Sequence, residues 1–174
     1  YLDECFYDLQ ILAIILGGGM SSRLFQEIRE KRGLVYNVSA FSSSYSDCGI
    51  FGIYSALDSK NINLLIDLTI QELLNVTEEI DDMEIERAKA QVRSNLLMSM
   101  ESTTSRAKKL CNNFAMFGRC ISNDEILKKV DDVSVNSLKK IAKQILSKNN
   151  ITITTLGNVA NIYSYNKIID KLKL

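Results

Sequence analysis

The chain reads as an α+β domain: an antiparallel or mixed sheet packed by helices on one face. Three observations predict this class. Apolar residues recur at helical spacing through most of the 174 residues, and the period changes to that of a strand between Tyr36 and Tyr54. Proline, low-complexity tracts and Gly/Ser linkers are missing, so residues 1–174 are expected to form a single domain. A chain of this length buries roughly 70% of the surface its extended form exposes, so a sizeable core is expected.

The first element, Asp3 to Leu16, is long and apolar enough for a helix, and Gly17-Gly18-Gly19 ends it. A second helix over about Ser21 to Lys31 opens on serines suited to accept from free backbone N–H groups and stops at Gly33. Tyr36, Val38 and Ala40 then alternate with Asn37 and Ser39. Ile50, Phe51, Ile53 and Tyr54 follow a turn at Ser46-Asp47-Cys48-Gly49, which makes a hairpin. Leu64, Leu65, Leu68 and Leu73 place a helix over Asn61 to Asn75, lying on that sheet.

Asp81 with Glu84 forms a capping box that opens a long helix, with Ile85, Ala88, Val92 and Leu96 on one stripe. After a break at Ser99 to Ser102, Thr103 to Phe117 carries Ala107, Leu110 and Phe114 on another stripe. Ser122 and Glu125 repeat the capping-box pattern, and Leu138, Ile141, Ala142 and Ile145 fall at i, i+3, i+4 and i+7. The β-branched run Ile151 to Thr154 predicts a strand, and Tyr163 to Leu172 a last helix.

Composition excludes several classes of function. Lys plus Arg (21) balances Asp plus Glu (21), so nothing marks a nucleic-acid or membrane-surface binder. The longest apolar run, Ile11 to Leu16, is far too short to span a bilayer. The acidic start Tyr1-Leu2-Asp3-Glu4 is unlike a targeting signal, and a start without Met suggests an excised or processed piece. Cys5, Cys48, Cys111 and Cys120 are irregularly spaced without a C-x-x-C pair, so reduced, mostly buried thiols are expected rather than disulfides or a zinc site. The absence of histidine excludes Ser/His/Asp and Cys/His machinery and any H-x-x-E-H zinc motif within the chain.

Two motifs fit poorly. Gly17 to Gly19 with Ser21-Ser22 precedes a helix, yet lacks the lysine and preceding strand of a phosphate loop. The S-x-x-K tetrads Ser105–Lys108 and Ser137–Lys140 lack the S-D-N and K-T-G partners of serine/lysine hydrolases, which leaves them as solvated helix faces.

Leu16 to Tyr36, LGGGMSSRLFQEIREKRGLVY, is more specific. With YLDE, GIFGIYSA, EIERAKAQVRSNLLMSMEST, TSRA, FGR and DEILKKVDDV it resembles, over essentially the whole chain, the C-terminal half of a pitrilysin/insulinase-type metallopeptidase. The likeness is strongest to the branch containing mitochondrial processing peptidase and its bacterial relatives. The resemblance implies a zinc-free half that faces a zinc-binding N-terminal half across a chamber, so zinc is expected in the full-length protein and none on this chain. It also implies that the first strand of this half precedes Tyr1.

In that family an Arg and a Tyr seven positions apart grip substrate, and Arg29 and Tyr36 match the spacing. A peptide bond under attack gathers negative charge on its carbonyl oxygen, which a phenolic O–H stabilises, while a guanidinium offers a fork of donors to backbone carbonyls. Gly17, Gly18 and Gly19 are expected, by the same resemblance, to form a substrate-facing segment. Phe41 and Tyr54 are read as core residues, with chamber lining as the alternative.

The resemblance thus implies part of a zinc endopeptidase that hydrolyses extended peptides, inactive alone. Its expected partners are the zinc-binding half, a peptide substrate and a second copy as homo-oligomer, without nucleic acid or membrane. The alternative is a noncatalytic structural or chaperone-like subunit, of the processing-peptidase alpha or respiratory-complex core type. A third reading is a free-standing anion-binding module at the glycine turn. The family occupies the bacterial cytoplasm, here favoured, the periplasm and the mitochondrial matrix.

Overall fold

The computed structural model describes residues 5–45, 47–147 and 151–172. The YLDE segment and Ser46 of the expected turn lie outside the described residues. Helix α1 spans Phe6–Gly17, and a π-helical segment covers Phe25–Glu30. Strands β1 (Val35–Ser44) and β2 (Gly49–Leu57) form the antiparallel hairpin. Then come α2 (Ile62–Glu78), α3 (Asp82–Glu101), α4 (Thr103–Phe117), α5 (Asn123–Asp131), α6 (Val135–Ile145) and α7 (Tyr165–Lys171).

Helix α1 is the centre of the fold because it is apolar nearly all round: Ile11, Leu12, Ile15 and Leu16 are buried together. Around it gather Leu24, Phe25 and Ile28, the inward residues Val35 and Val38 of β1, Leu65 and Leu68 of α2, Ile85 and Ala88 of α3, and Leu138, Ile141 and Ala142 of α6. A smaller cluster of Ile70, Leu146, Ile168 and Leu172 fastens α7 to α2. Helices thus lie against one face of the hairpin, as the alternation predicts.

Glycine lets α1 approach the sheet. A Cβ on Gly17 would stand 2.2 Å from the Ala40 amide nitrogen, so any larger residue would push helix and strand apart. Beyond it the Ser22 hydroxyl donates to the Gly19 carbonyl at 2.6 Å, instead of accepting from free N–H groups as the sequence suggests.

The Asp81–Glu84 capping box is present with both reciprocal bonds. The second expected box is half made: Ser122 Oγ accepts from the Glu125 N–H, but the Glu125 carboxylate turns to the Arg119 guanidinium. A capping box that the sequence reading overlooked joins Ser134 and Ser137, and the Ser137 hydroxyl also donates to Asp8 of α1.

Three expectations fail. Ile151 to Thr154 forms no strand, because no ladder partner stands beside it among the described residues and β-propensity alone cannot make one. The thiols are not mostly buried: Cys48, Cys111 and Cys120 are exposed and Cys5 is half-buried. Phe41 and Tyr54 are not core residues; they stand 44% and 54% exposed on the outer face of the hairpin.

Candidate functional site

The corner where the π-helical segment turns into β1 carries the two residues singled out by their spacing. In this segment the Lys31 N–H donates to the Gln26 carbonyl at 3.0 Å, five residues back, which is the wide turn of a π-helix. Gly33, with φ +60°, ends it in the left-handed region. Its N–H donates to the Arg29 carbonyl at 3.0 Å, and the Leu34 N–H to the Ile28 carbonyl at 3.1 Å. The chain therefore folds back on Arg29 three residues before Tyr36 emerges.

Tyr36 owes its direction to a β-bulge. Val35 pairs with Leu57 and Asn37 with Ala56, so Tyr36 is the extra residue, inserted without a partner of its own. Val35 and Val38 are then both buried, while Tyr36 and Asn37 both point outward. Tyr36 is 80% exposed.

Arg29 is exposed, its guanidinium carbon 4.9 Å from the centroid of the buried Phe25 ring, which steadies it by cation–π attraction. Neighbouring charges cancel each other. Glu27 accepts from Lys31 Nζ at 2.8 Å and binds the Arg32 guanidinium, and these bonds hold its carboxyl below the usual range. Arg29 makes no ion pair among the described residues, so it is left as the available cation of the corner.

The other end of the segment is tied down. Arg23 donates to Glu84 through Nε at 2.8 Å and Nη2 at 2.5 Å, and through Nη2 to the Glu79 carbonyl at 2.9 Å. One guanidinium thus joins the π-helical segment to the end of α2 and the start of α3. Burial would raise the Glu84 carboxyl, but the Arg23 bond, the Asp81 N–H and the charges of Arg23 and Arg87 outweigh it and hold it low. Nearby Glu72 is pushed up, chiefly by burial. Sequence reasoning missed Arg23: the capping box that holds Glu84 is legible locally, but its cationic partner lies 61 residues away.

Gly17, Gly18 and Gly19 stand at this tied-down end and not at the Arg29/Tyr36 corner. Gly17 is buried against β1, and the Gly18 carbonyl accepts from Gln91 Nε2 at 3.0 Å. Only Gly19 is exposed, with open space where a Cβ would be. Glu84 serves Arg23, and Glu86 stands 3.6 Å from Lys89 Nζ.

Zinc requires three or four converging nitrogen, oxygen or sulfur ligands. The chain has no histidine, and among the described residues no group of three or more His, Cys, Asp or Glu converges. These residues do not fit a zinc ion. No described helix is long and apolar enough to cross a membrane.

The chain is thus an α+β unit with an outward tyrosine and arginine where the π-helical segment meets β1 and, among the described residues, no cluster of metal ligands. Residues 2–92 match the peptidase M16 inactive domain, and the chain belongs to that family, the C-terminal half of pitrilysin-type peptidases. It is 42% identical over 144 residues to an uncharacterized zinc protease of Rickettsia felis, covering 83% of this chain and 35% of that protein. It is 30% identical over 156 residues to a probable mitochondrial-processing peptidase subunit beta of Schizosaccharomyces pombe, covering 89% and 34%. The chain thus spans about a third of the length of these relatives. In fold it is similar to a chain of complex III2 from Candida albicans, with a TM-score of 0.87 and 23% identity, covering 98% of this chain and 43% of that one.

Proposed function

We propose that this chain is the substrate-gripping half of a zinc metalloendopeptidase acting on extended peptides, with the metal and its ligands on an adjoining half. The observation that carries the reading is the corner itself. An aromatic hydroxyl is turned outward by a bulge, seven residues after an exposed guanidinium that makes no ion pair among the described residues. Bulges and π-turns both interrupt regular hydrogen bonding, and both are over-represented beside functional sites. Relatives named zinc proteases support the reaction class.

In this reading the Tyr36 O–H donates to the carbonyl oxygen of the bond under attack as charge gathers there, which favours the transition state over the bound substrate. Arg29 holds neighbouring backbone carbonyls with its fork of donors. Gly19, the exposed glycine, is the member of the glycine run able to meet substrate. Alone, the chain hydrolyses nothing.

Peptide cleavage by the full-length protein tests this. Tyr36→Phe is expected to lower kcat by about 10²- to 10³-fold, the typical effect of losing one oxyanion donor. Arg29→Ala is expected to raise KM, and Arg29→Lys to restore it only in part. Wild-type turnover in both Tyr36→Phe and Arg29→Ala would end the proposal.

A second reading, a structural subunit that kept the fold and lost hydrolysis, is supported by the match to a domain described as inactive. An intact H-x-x-E-H motif in the adjoining half argues for the enzyme, and its loss for the scaffold.

A further inference from the structure

A cavity of about 1060 Å³ lies among α1, α3, α4 and α5. Small-molecule sites reach roughly 1,000 Å³, so this one has room for an organic ligand. Val92 and Leu96 of α3, Phe117 of α4, and Ile121 and Ile126 line it with half-buried apolar surface. Two polar residues of α4, Lys109 and Asn113, face the same space one turn apart.

Packing does not explain why α4 turns these two inward. The helix exposes Leu110 and Phe114 by 50% and 60%, the reverse of an ordinary amphipathic helix. Lys109 donates to Asn123 Oδ1 and makes no ion pair among the described residues, and burial pushes its ammonium down from the usual lysine range. The Nδ2 atom of Asn113 is buried with no hydrogen-bond partner among the described residues. A cation without a counter-charge and an amide donor without an acceptor are both costs to the fold, and one anion between them removes both.

The acids of the cavity sit elsewhere. Asp132 follows the last residue of α5, and Asp8 accepts from Ser137 just beyond it, whereas Lys109 reaches Asn123, the first residue of that helix. Nine residues of α-helix, about 13 Å, separate the two ends. Lys129, the other lysine lining the space, stands 4.0 Å from Glu125.

We propose that the cavity binds a carboxylate carried on an apolar chain, with Lys109 Nζ and Asn113 Nδ2 donating to its oxygens and the chain lying against Val92, Leu96, Phe117 and Ile126. A single unpaired ammonium suits one negative charge; a phosphate, with nearly two, would leave the excess to the repulsion of Asp8 and Asp132. An apolar chain without the carboxylate would leave both donors unpaired. Two sources carry this chemistry: a free fatty acid, and the C-terminus of a short apolar peptide.

Calorimetric titration of the full-length protein with decanoate, decanol, acetyl-trileucine and acetyl-trileucine amide tests this. At least one of the two acids is expected to bind about 10-fold or more tightly than its uncharged counterpart, the worth of one charge-assisted hydrogen bond. Preference for decanoate identifies a fatty acid as the source, and preference for the peptide acid a peptide C-terminus. Lys109→Met is expected to reduce that ratio to about 3-fold or less while affinity for the uncharged counterpart stays near wild type. Asn113→Leu is expected to weaken the acid by about 3-fold or more and to leave the melting temperature equal or higher, because an apolar side chain relieves the buried unpaired amide.

No saturable binding of either acid would overturn the inference, the result expected if chain outside residues 1–174 fills the cavity. So would equal binding of the acids and their uncharged counterparts, or an acid preference that survives in both variants. Binding is read directly, so loss of the roles proposed for Arg29 and Tyr36 leaves these outcomes intact.

Discussion

Helices α4 and α6 start from nearly the same sequence signal and end in opposite environments. Each opens on a serine whose Oγ accepts a backbone N–H three residues on, and each carries an apolar stripe at helical spacing. The stripe of α6 is buried, with Leu138 at 0% and Ala142 at 1%. That of α4 faces outward, with Leu110 at 50% and Phe114 at 60%, and its side toward the rest of the molecule presents Lys109, bonded to Asn123. Periodicity specifies a helix and a face; the element that covers the face is a long-range matter. The α6 stripe finds α1, whose Asp8 also accepts from Ser137.

The largest effects follow from this contrast in the core. Leu138→Ala should destabilise the chain by about 3 kcal/mol, since it removes a fully buried side chain among close neighbours. Leu110→Ala should cost less than about 1 kcal/mol, because half of that side chain is already in water. Urea unfolding of the two variants measures both. Equal losses would show that α4 is covered in solution and would dissolve the distinction.

A similar difference separates two arginine–glutamate pairs. Arg23 and Glu84 are each only 16% exposed, whereas Arg119 and Glu125 are 56% and 30% exposed. Glu84→Ala is expected to cost about 3 kcal/mol, leaving a largely buried guanidinium without its carboxylate and removing the reciprocal half of the α3 capping box. Glu125→Ala should cost below about 1 kcal/mol. Because the folded chain holds Glu84 below its ordinary value of 4.5, the contribution of that carboxylate is complete above the ordinary value and is lost as pH falls through the depressed one. The penalty of Glu84→Ala should therefore shrink on acidification below pH 4.5. A constant penalty would assign it to packing that the side chain provides in either protonation state.

Much of the architecture was legible because its signals are local. The Asp81–Glu84 box, the end of a helix at Phe117 and the hairpin between Tyr36 and Tyr54 each rest on residues a few positions apart. What escaped was decided at a distance. Ile151 to Thr154 has the residues of a strand without a neighbour to pair with, and Phe41 has those of a core residue on the open side of the sheet. At the corner, the spacing of Arg29 and Tyr36 could be read from the family resemblance. The bulge that aims Tyr36 could not, since it depends on register against Leu57 and Ala56.

Two glycines sharpen the comparison at a smaller scale. Gly17, in the packed region, is required for space, and Gly17→Ala should cost about 2 kcal/mol as helix and strand separate. Gly118, at the end of α4, has φ +66° and nothing within 4 Å of a Cβ, so Gly118→Ala should cost only about 1 kcal/mol, from backbone strain. Asparagine tolerates the left-handed region, so Gly118→Asn should recover part of that loss, whereas Gly17→Asn should be worse than alanine. Melting temperatures of the four variants separate crowding from conformation.

The smallest effect has the opposite sign and qualifies the packed region itself. Burial, ahead of the charges of Glu27 and Glu84, pushes the Glu72 carboxyl up despite its attraction to Arg23. A raised carboxyl favours the folded state below its ordinary value, and that advantage is lost as pH rises through the folded value, so at neutral pH ionised Glu72 is a cost. Glu72→Gln should therefore stabilise the chain by a few tenths of a kcal/mol, about 0.5 at most, and the gain should vanish below pH 4.5. If instead the variant melts lower at neutral pH, the attraction of Arg23 for Glu72 outweighs burial, and the knot around Arg23 holds two carboxylates where the geometry gives it one.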